Sequence, residues 1–120
     1  MKIAISATGT DLQAQVDGRF GRCQHFIIYD TEAKTFEAVA NEAQFASGGA
    51  GIQAGQTVQK SGAEVVLTGN VGPNAIRTLG NIKVCIGVSG TVSEAIKKYE
   101  AGEYKPTDQA NVQTHFGTNQ

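Results

Sequence analysis

Apolar and polar positions alternate from Lys2 to Ala7 and stop at Thr8-Gly9-Thr10, which predicts a short first strand. Residues 8–22 carry no period and read as a long loop. Gln24 to Asp30 predicts a second strand, with Phe26 and Ile28 on one face and His25, Ile27 and Tyr29 on the other. Thr31-Glu32-Ala33-Lys34 is a polar turn of hairpin length, and Thr35 to Ala40 is a third strand. Asn41 to Ser47 is irregular. Gly48-Gly49-Ala50-Gly51 then opens a helix with Ser47 as its N-cap candidate. The apolar stripe of that helix is weak (Ile52 and Val58, helped by Ala54 and Ala63), so packing must supply much of its stability. Ser61-Gly62 ends it.

Val65-Val66-Leu67 is a continuous apolar run, as expected of a strand buried on both faces. Gly69-Asn70-Val71-Gly72-Pro73-Asn74 turns into a helix reaching Leu79, with Pro73 suited to its first position. Ile82 to Val88 reads as another buried strand. Thr91-Val92-Ser93-Glu94 has capping-box spacing, and the helix it starts runs to about Ala101 before Gly102 closes it. Residues 1–104 are read as one α/β domain, and the polar, aperiodic residues 105–120 as a flexible tail.

This order predicts an antiparallel meander followed by two right-handed crossovers. Keeping the apolar strands covered places strand 4 beside strand 1, giving a five-stranded mixed sheet of order 3-2-1-4-5 with strand 2 antiparallel and three flanking helices. Strands 1, 3, 4 and 5 run one way, so their C-terminal ends share one edge, and the order reverses between 1 and 4, where α/β sheets bind ligands. Residues 6–22, 41–50, 69–73 and 88–91 collect on that edge. The strand order resembles the ribonuclease H-like architecture. Two-metal nuclease chemistry is nevertheless excluded, because strand 1 (Lys2-Ile3-Ala4-Ile5-Ser6) and the end of strand 4 at Asn70 bring no carboxylates together.

Composition narrows the function. The chain has 120 residues with 40% hydrophobic and 18% charged, a globular balance. A net charge of −1 and 7% aromatic residues give neither the basic field nor the stacking platform of a nucleic-acid binder. With no signal peptide or membrane-length apolar run, the sequence predicts a soluble, cytoplasmic protein. Cys23 and Cys85 form no CxxC motif and are read as reduced thiols. Glycine is the outlier, at 15 of 120 residues against an average of about 7%, and it clusters at strand-to-helix junctions.

Asp17-Gly18-Arg19-Phe20-Gly21-Arg22-Cys23 places two arginines in the first loop, where no hydrophobic period asks for them. Together with three helix N-termini on the same edge, Arg19 and Arg22 suit a sizeable anion. The candidate binding residues are Arg19, Phe20, Gly21 and Arg22; Ser47, Gly48, Gly49, Ala50 and Gly51; Gly69, Asn70, Val71, Gly72, Pro73 and Asn74; and Ser89 with Gly90. Gly49-Ala50-Gly51-Ile52-Gln53-Ala54 fits the dinucleotide pattern, but it lies far from its preceding strand and no acidic residue follows for a ribose. Cys23 and His25, two apart, are candidate metal ligands on one strand face; Cys85 reads as core and His115 as a solvated tail residue. No nucleophile–base arrangement can be assembled, so the chain is read as no enzyme.

The runs Met1-Lys2-Ile3-Ala4-Ile5, Gly18-Arg19-Phe20-Gly21-Arg22-Cys23, Ser47-Gly48-Gly49-Ala50-Gly51 and Gly69-Asn70-Val71-Gly72-Pro73-Asn74-Ala75 resemble the nitrogenase iron–molybdenum cofactor biosynthesis family. The resemblance continues through Glu94-Ala95 and Tyr99-Glu100-Ala101-Gly102-Glu103, in order and spacing. It implies a ribonuclease H-like fold without nuclease activity and a non-catalytic role in carrying or storing an anionic metal–sulfide cluster. That cluster is of molybdenum–copper or iron–molybdenum type and is held without covalent attachment. It also implies that Arg19 and Arg22 neutralise the cluster, that Gly48–Gly51 and Gly69–Asn74 donate backbone N–H groups, and that Cys23 or His25 is the candidate direct ligand. Cluster donor and acceptor proteins are the implied partners of a monomeric carrier. The alternative is a protein-interaction or regulatory domain of the same fold with no cluster.

Overall fold

The computed structural model describes residues 1–111. Five strands form one sheet, β1 (Lys2–Ala7), β2 (His25–Asp30), β3 (Thr35–Ala40), β4 (Val65–Leu67) and β5 (Lys83–Cys85), in the order β3-β2-β1-β4-β5. β2 is antiparallel to both β1 and β3, whereas β4 is parallel to β1 and to β5. Three helices complete the fold, α1 (Ala50–Ser61), α2 (Pro73–Leu79) and α3 (Val92–Glu100). The sheet order and strand directions are those the sequence predicts.

Strand alternation divides the core into two layers. On one face Ala4, Phe26, Ile28, Val66 and Val84 pack with Ala54 and Val58 of α1 and Ala75 and Leu79 of α2. On the other, Ile3, Ile5, Ile27, Val65, Leu67 and Cys85 pack with Val92, Ala95 and Ile96 of α3. Small residues give α1 its contact surface: Ala50, Gly51, Ala54 and Gly55 are buried beside Val58. A Cβ on Gly55 would lie 2.8 Å from Thr78 Cγ2, so this glycine sets how closely α1 and α2 approach and has no role at a strand-to-helix junction.

Three local expectations are corrected. The strand expected over Ile82–Val88 is regular only at Lys83–Cys85. Gly87 turns to φ 72°, and its N–H donates to Gly69 O at 2.9 Å while Val88 N–H donates to Thr68 O at 3.1 Å, an irregular pairing with the end of β4. Ser47 does not cap α1; the N-cap is Gly49 at φ 70°. The stretch expected to be irregular after β3 contains a 3-10 turn at Glu42–Phe45, started by Asn41, whose side chain accepts from Ala43 N–H.

The capping box at α3 is formed as the sequence predicts: Glu94 N–H donates to Thr91 Oγ1 and Thr91 N–H donates to Glu94 Oε1. These bonds from Thr91 hold the Glu94 carboxyl below its ordinary range. A carboxylate whose folded-state pKa is depressed stabilises the fold above its unfolded pKa, and that stabilisation is lost as pH falls through the folded value. Amide protection at the start of α3, measured relative to the intrinsic exchange rate at each pH, is therefore expected to fall on acidification through the carboxylate range, and less so in Glu94→Gln.

After α3 the chain returns along the open edge of β5, where Thr107 N–H donates to Val84 O at 2.7 Å. Residues 112–120, the remainder of the tail, and His115 with them, lie outside the described residues.

Candidate functional site

The switch point between β1 and β4 is closed by buried polar groups. Ser6 Oγ donates to Asp17 O at 2.7 Å and lies 2.8 Å from Thr68 Oγ1, and Asp17 N–H returns to Ser6 O at 2.8 Å. This pins the start of the arginine loop to the sheet. The buried Asp17 then folds the loop on itself: its Oδ1 accepts from Arg19 N–H at 2.9 Å and sits 3.4 Å from Arg19 Nε.

The next residues are stitched to the loop after β4. Asn70 Nδ2 donates to Gly18 O at 2.9 Å, and Phe20 N–H donates to Asn70 O at 3.1 Å. The two backbones touch because Gly69 lacks a side chain; its Cβ would lie 2.8 Å from Gly18 Cα. The two arginines have different surroundings. Arg19 has a half-exposed side chain at the surface of this joint. Arg22 donates from Nη1 to Ala46 O at 2.8 Å and reaches Gln44 O at 3.4 Å, tying the loop to the end of the 3-10 turn. Between them, Phe20 is fully buried with its ring centroid 5.2 Å from that of Phe26. It anchors the loop in the same core cluster as Ala50, Val71 and Ala75, which brings the beginnings of α1 and α2 to the arginine loop. Gly21 O accepts from Asn41 Nδ2 at 3.0 Å, as Cys23 O does at 2.8 Å.

Helix N-termini leave backbone N–H groups without intrahelical acceptors. α1 follows Gly49 with no side-chain cap and no acidic residue in its first turn, and α2 follows Gly72 in the same way. Cβ atoms on Gly48 and Gly49 would meet nothing within 4 Å, so the approach to α1 is open. Phe45, 79% exposed, and Ile52, 41% exposed, flank this stretch with apolar surface. α3 differs: Thr91 Oγ1 accepts from Glu94 N–H, Ala14 O and Leu12 O accept from Val92 and Ser93 N–H, and the helix lies on the opposite sheet face. The helices α1 and α2 therefore start on the sheet face that holds Phe20, whereas α3, the third helix the sequence suggested there, packs on the other face. Ser89 is exposed and Gly90 O accepts from Val16 N–H at 2.8 Å, both on the α3 side. Within Gly69–Asn74, Val71 N–H is engaged by Asn111 Oδ1 at 2.7 Å, Pro73 has no N–H, and Asn74 Oδ1 accepts from Arg77 one turn on.

Cys23 and His25 do not share a face. Regular pairing in β2 begins only at His25, so strand alternation does not extend back to Cys23. Cys23 packs with Phe20 and Phe26 on the α1–α2 side, while His25 has the parity of Ile27 on the α3 side. Burial, and next the nearby Asp17 charge, push the Cys23 thiol up to about 12. Its Sγ donates to Phe20 O at 3.4 Å. His25 Nδ1 is buried and has no hydrogen-bond partner among the described residues. No group of three or more His, Cys, Asp or Glu side chains capable of holding a metal ion occurs among the described residues. Both cysteines are expected to resist iodoacetamide at pH 8 in the native protein and to react fully in denaturant, which a mass-resolved labelling time course checks. Rapid native labelling of Cys23 would show its sulfur to be accessible.

Sequence reasoning missed Ser6, Asp17, Asn41, Thr68 and Asn111. All but Asn111 are buried polar residues whose partners are mostly backbone groups far along the chain. Asp17-Gly18 carried a local signal, since an aspartate before glycine favours the turn in which its carboxylate accepts from the N–H two residues on.

Sheet order, strand directions and flanking helices define an α/β domain of ribonuclease H-like topology, with the arginine loop joined to the loop after β4 at the switch point of its sheet. The sequence pattern of the dinitrogenase iron-molybdenum cofactor family matches residues 1–102, and the chain belongs to that family. The apo form of the orange protein from Desulfovibrio gigas is 41% identical, with a TM-score of 0.89 over 92% of this chain and 96% of that one. A Thermotoga protein assigned as NifB is 36% identical, with a TM-score of 0.81 over 92% of this chain and 97% of that one. A protein of Methanocaldococcus jannaschii assigned as a dinitrogenase is 19% identical and, at a TM-score of 0.66 over 89% of this chain and 94% of that one, shares the fold. No curated protein matches the chain. No helix among the described residues is long and apolar enough to cross a membrane.

Proposed function

We propose that this protein is a non-catalytic, monomeric cytoplasmic carrier or store for an anionic metal–sulfide cluster containing molybdenum with copper or iron. The cluster sits in the crevice between the arginine loop, residues 47–51 and residues 69–74, and is received from and passed to partner proteins. The observation that carries this reading is the N-terminus of α1, which has no side-chain cap and is entered through the exposed Gly48 and Gly49, together with a loop whose Arg19 is held at the surface by Asp17.

The residues present suit a ligand held by charge and hydrogen bonds. Sulfide edges of a cluster accept hydrogen bonds, and the N–H groups of Ala50, Gly51 and Ile52 at the start of α1 are donors without an intrahelical acceptor. A helix N-terminus contributes about 0.3–1 kcal/mol toward an anion at an exposed site. A charge-assisted bond from a guanidinium contributes roughly 1.5–3 kcal/mol. The buried thiol of Cys23 plays no part in this arrangement, which fits non-covalent retention. Arg22 acts through the Ala46 carbonyl, fixing the stretch that leads to Gly48.

Arg19→Ala is expected to weaken binding of tetrathiomolybdate roughly tenfold, about 1.4 kcal/mol. As the residue is half exposed, folding stability should change by less than about 0.5 kcal/mol. Equilibrium dialysis with molybdenum analysis, run beside thermal melts, separates the two. Unchanged retention in the variant would remove Arg19 from the site and favour a protein-interaction role for this edge.

A further inference from the structure

The stretch after α3 ends, within the described residues, on the floor of the crevice. Asn111 N–H donates to Val71 O at 3.1 Å, and Asn111 Oδ1 accepts from Val71 N–H at 2.7 Å, so one residue engages both backbone polar groups of Val71. Its Nδ2 donates to Gly69 O at 3.2 Å and to Asn70 Oδ1 at 3.0 Å. The last bond fixes which way the Asn70 amide faces. With Oδ1 engaged by Asn111, Asn70 Nδ2 is directed to Gly18 O at 2.9 Å, immediately before Arg19.

We propose that Asn111 is a positioning residue for the crevice: a relay from Asn111 through the Asn70 amide to Gly18 sets where the arginine loop, and with it Arg19, stands. Three features make the relay physical. Asn111 is itself delivered by the Thr107–Val84 pairing on the β5 edge, so the strap is anchored on the sheet. The Gly69–Gly18 contact is too close to absorb slack, so a change in the orientation of Asn70 is transmitted to Gly18 rather than lost in a void. Phe20 N–H donates to Asn70 O, so Asn70 holds the loop on both sides of Arg19. Without Asn111 the Asn70 amide is free to flip, and a flipped amide presents its oxygen to the Gly18 carbonyl, which repels it. The chemistry calls for a carboxamide: an aspartate keeps an acceptor for Val71 N–H but places a carboxylate against Gly69 O and Asn70 Oδ1.

The consequence for ligand binding rests on the function proposed above, but the relay itself is testable in the protein without ligand. The experiment is two-dimensional ¹⁵N NMR with amide exchange on Asn111→Ala and Asn111→Asp. Val71 N–H is expected to exchange roughly tenfold faster in Asn111→Ala, the size of one net hydrogen bond, and to keep most of its protection in Asn111→Asp. The amides of Gly18, Arg19 and Phe20 are expected to shift in both variants, because both lose the bond that orients Asn70. Unshifted Gly18–Phe20 amides would overturn the relay. Asn70→Ala serves as the second arm: in that background Asn111→Ala should no longer move the Gly18–Phe20 amides, and an undiminished shift would place the coupling elsewhere. Dialysis against tetrathiomolybdate then reads the consequence. A several-fold loss of retention in Asn111→Ala, with a thermal midpoint near wild type, supports positioning, and wild-type retention opposes it. If the wild type itself retains no thiomolybdate, the cluster reading falls, while the NMR result still decides the relay.

Discussion

Gly69→Ala is expected to lower both stability and ligand retention, although it adds one methyl group at the surface of the fold. The new Cβ would lie 2.8 Å from Gly18 Cα and 3.0 Å from Gly18 O, and both are backbone atoms that cannot rotate away. Neither loop is free to yield: Ser6 and Asp17 fix one to β1, and the Asn70–Gly18 and Phe20–Asn70 bonds fix the two together. Overpacking of a constrained contact costs about 1–3 kcal/mol, which for a domain of this size is a fall of several degrees or more in the thermal midpoint. Gly48→Ala is the matched control. Its Cβ would meet nothing within 4 Å, and its stability effect is expected within about 0.5 kcal/mol. Thermal melts of the two variants check the contrast; equal midpoints would mean that the loops are not in the contact described.

Phe20→Ala is expected to be the most destabilising change in the Arg19–Arg22 run. The ring is fully buried and packs at 5.2 Å on Phe26, in the cluster that joins the starts of α1 and α2. Truncating a buried phenylalanine costs about 3–5 kcal/mol, against a total of about 5–15 kcal/mol for a typical domain. Phe20→Leu, which keeps most of the volume, should recover much of the loss. Urea unfolding followed by circular dichroism checks the series. The adjacent Arg19→Ala should unfold near wild type, because its partner Asp17 still receives the backbone N–H of residue 19. A small effect at Phe20 would mean that its ring does not anchor the loop.

The fold was largely legible because its signals are local. Alternation marks β1 to β3, the apolar run marks β4, Pro73 marks the start of α2, and Thr91 with Glu94 marks the start of α3. The site was less legible because its parts are assembled by tertiary contact. Phe20 stands between arginines in a run that reads as a binding loop, and nothing local reveals that its ring turns inward onto Phe26. Arg22 reads as a charge for a ligand, yet its Nη1 donates to carbonyl groups some twenty positions on. Cys23 and His25 were paired by extending strand alternation one step too far, past the residue where β2 begins. Three helix N-termini are expected on one edge from the sequence, yet the first N–H groups of α3 are already engaged by Ala14 O, Leu12 O and Thr91 Oγ1. The glycine excess mixed two uses, close helix packing at Gly55 and close loop contact at Gly69, which only neighbours in space distinguish.

The two arginine positions thus differ in their surroundings, Arg19 half exposed beside Asp17 and Arg22 donating to the Ala46 carbonyl. Asn111, in a stretch that carries no sequence signal, accepts from Val71 N–H and donates to Gly69 O.

Anaerobic reconstitution of the apo protein with tetrathiomolybdate and copper(I), followed by gel filtration with visible absorbance and analysis for Mo, Cu and Fe, tests the central claim most directly. The account predicts colour and molybdenum moving with monomeric protein. Copper in those fractions would assign the molybdenum–copper type, and retention only of an iron–molybdenum–sulfur precursor would assign the other. Protein that elutes colourless and metal-free after exposure to both would contradict the carrier function and leave the domain as a protein-interaction module.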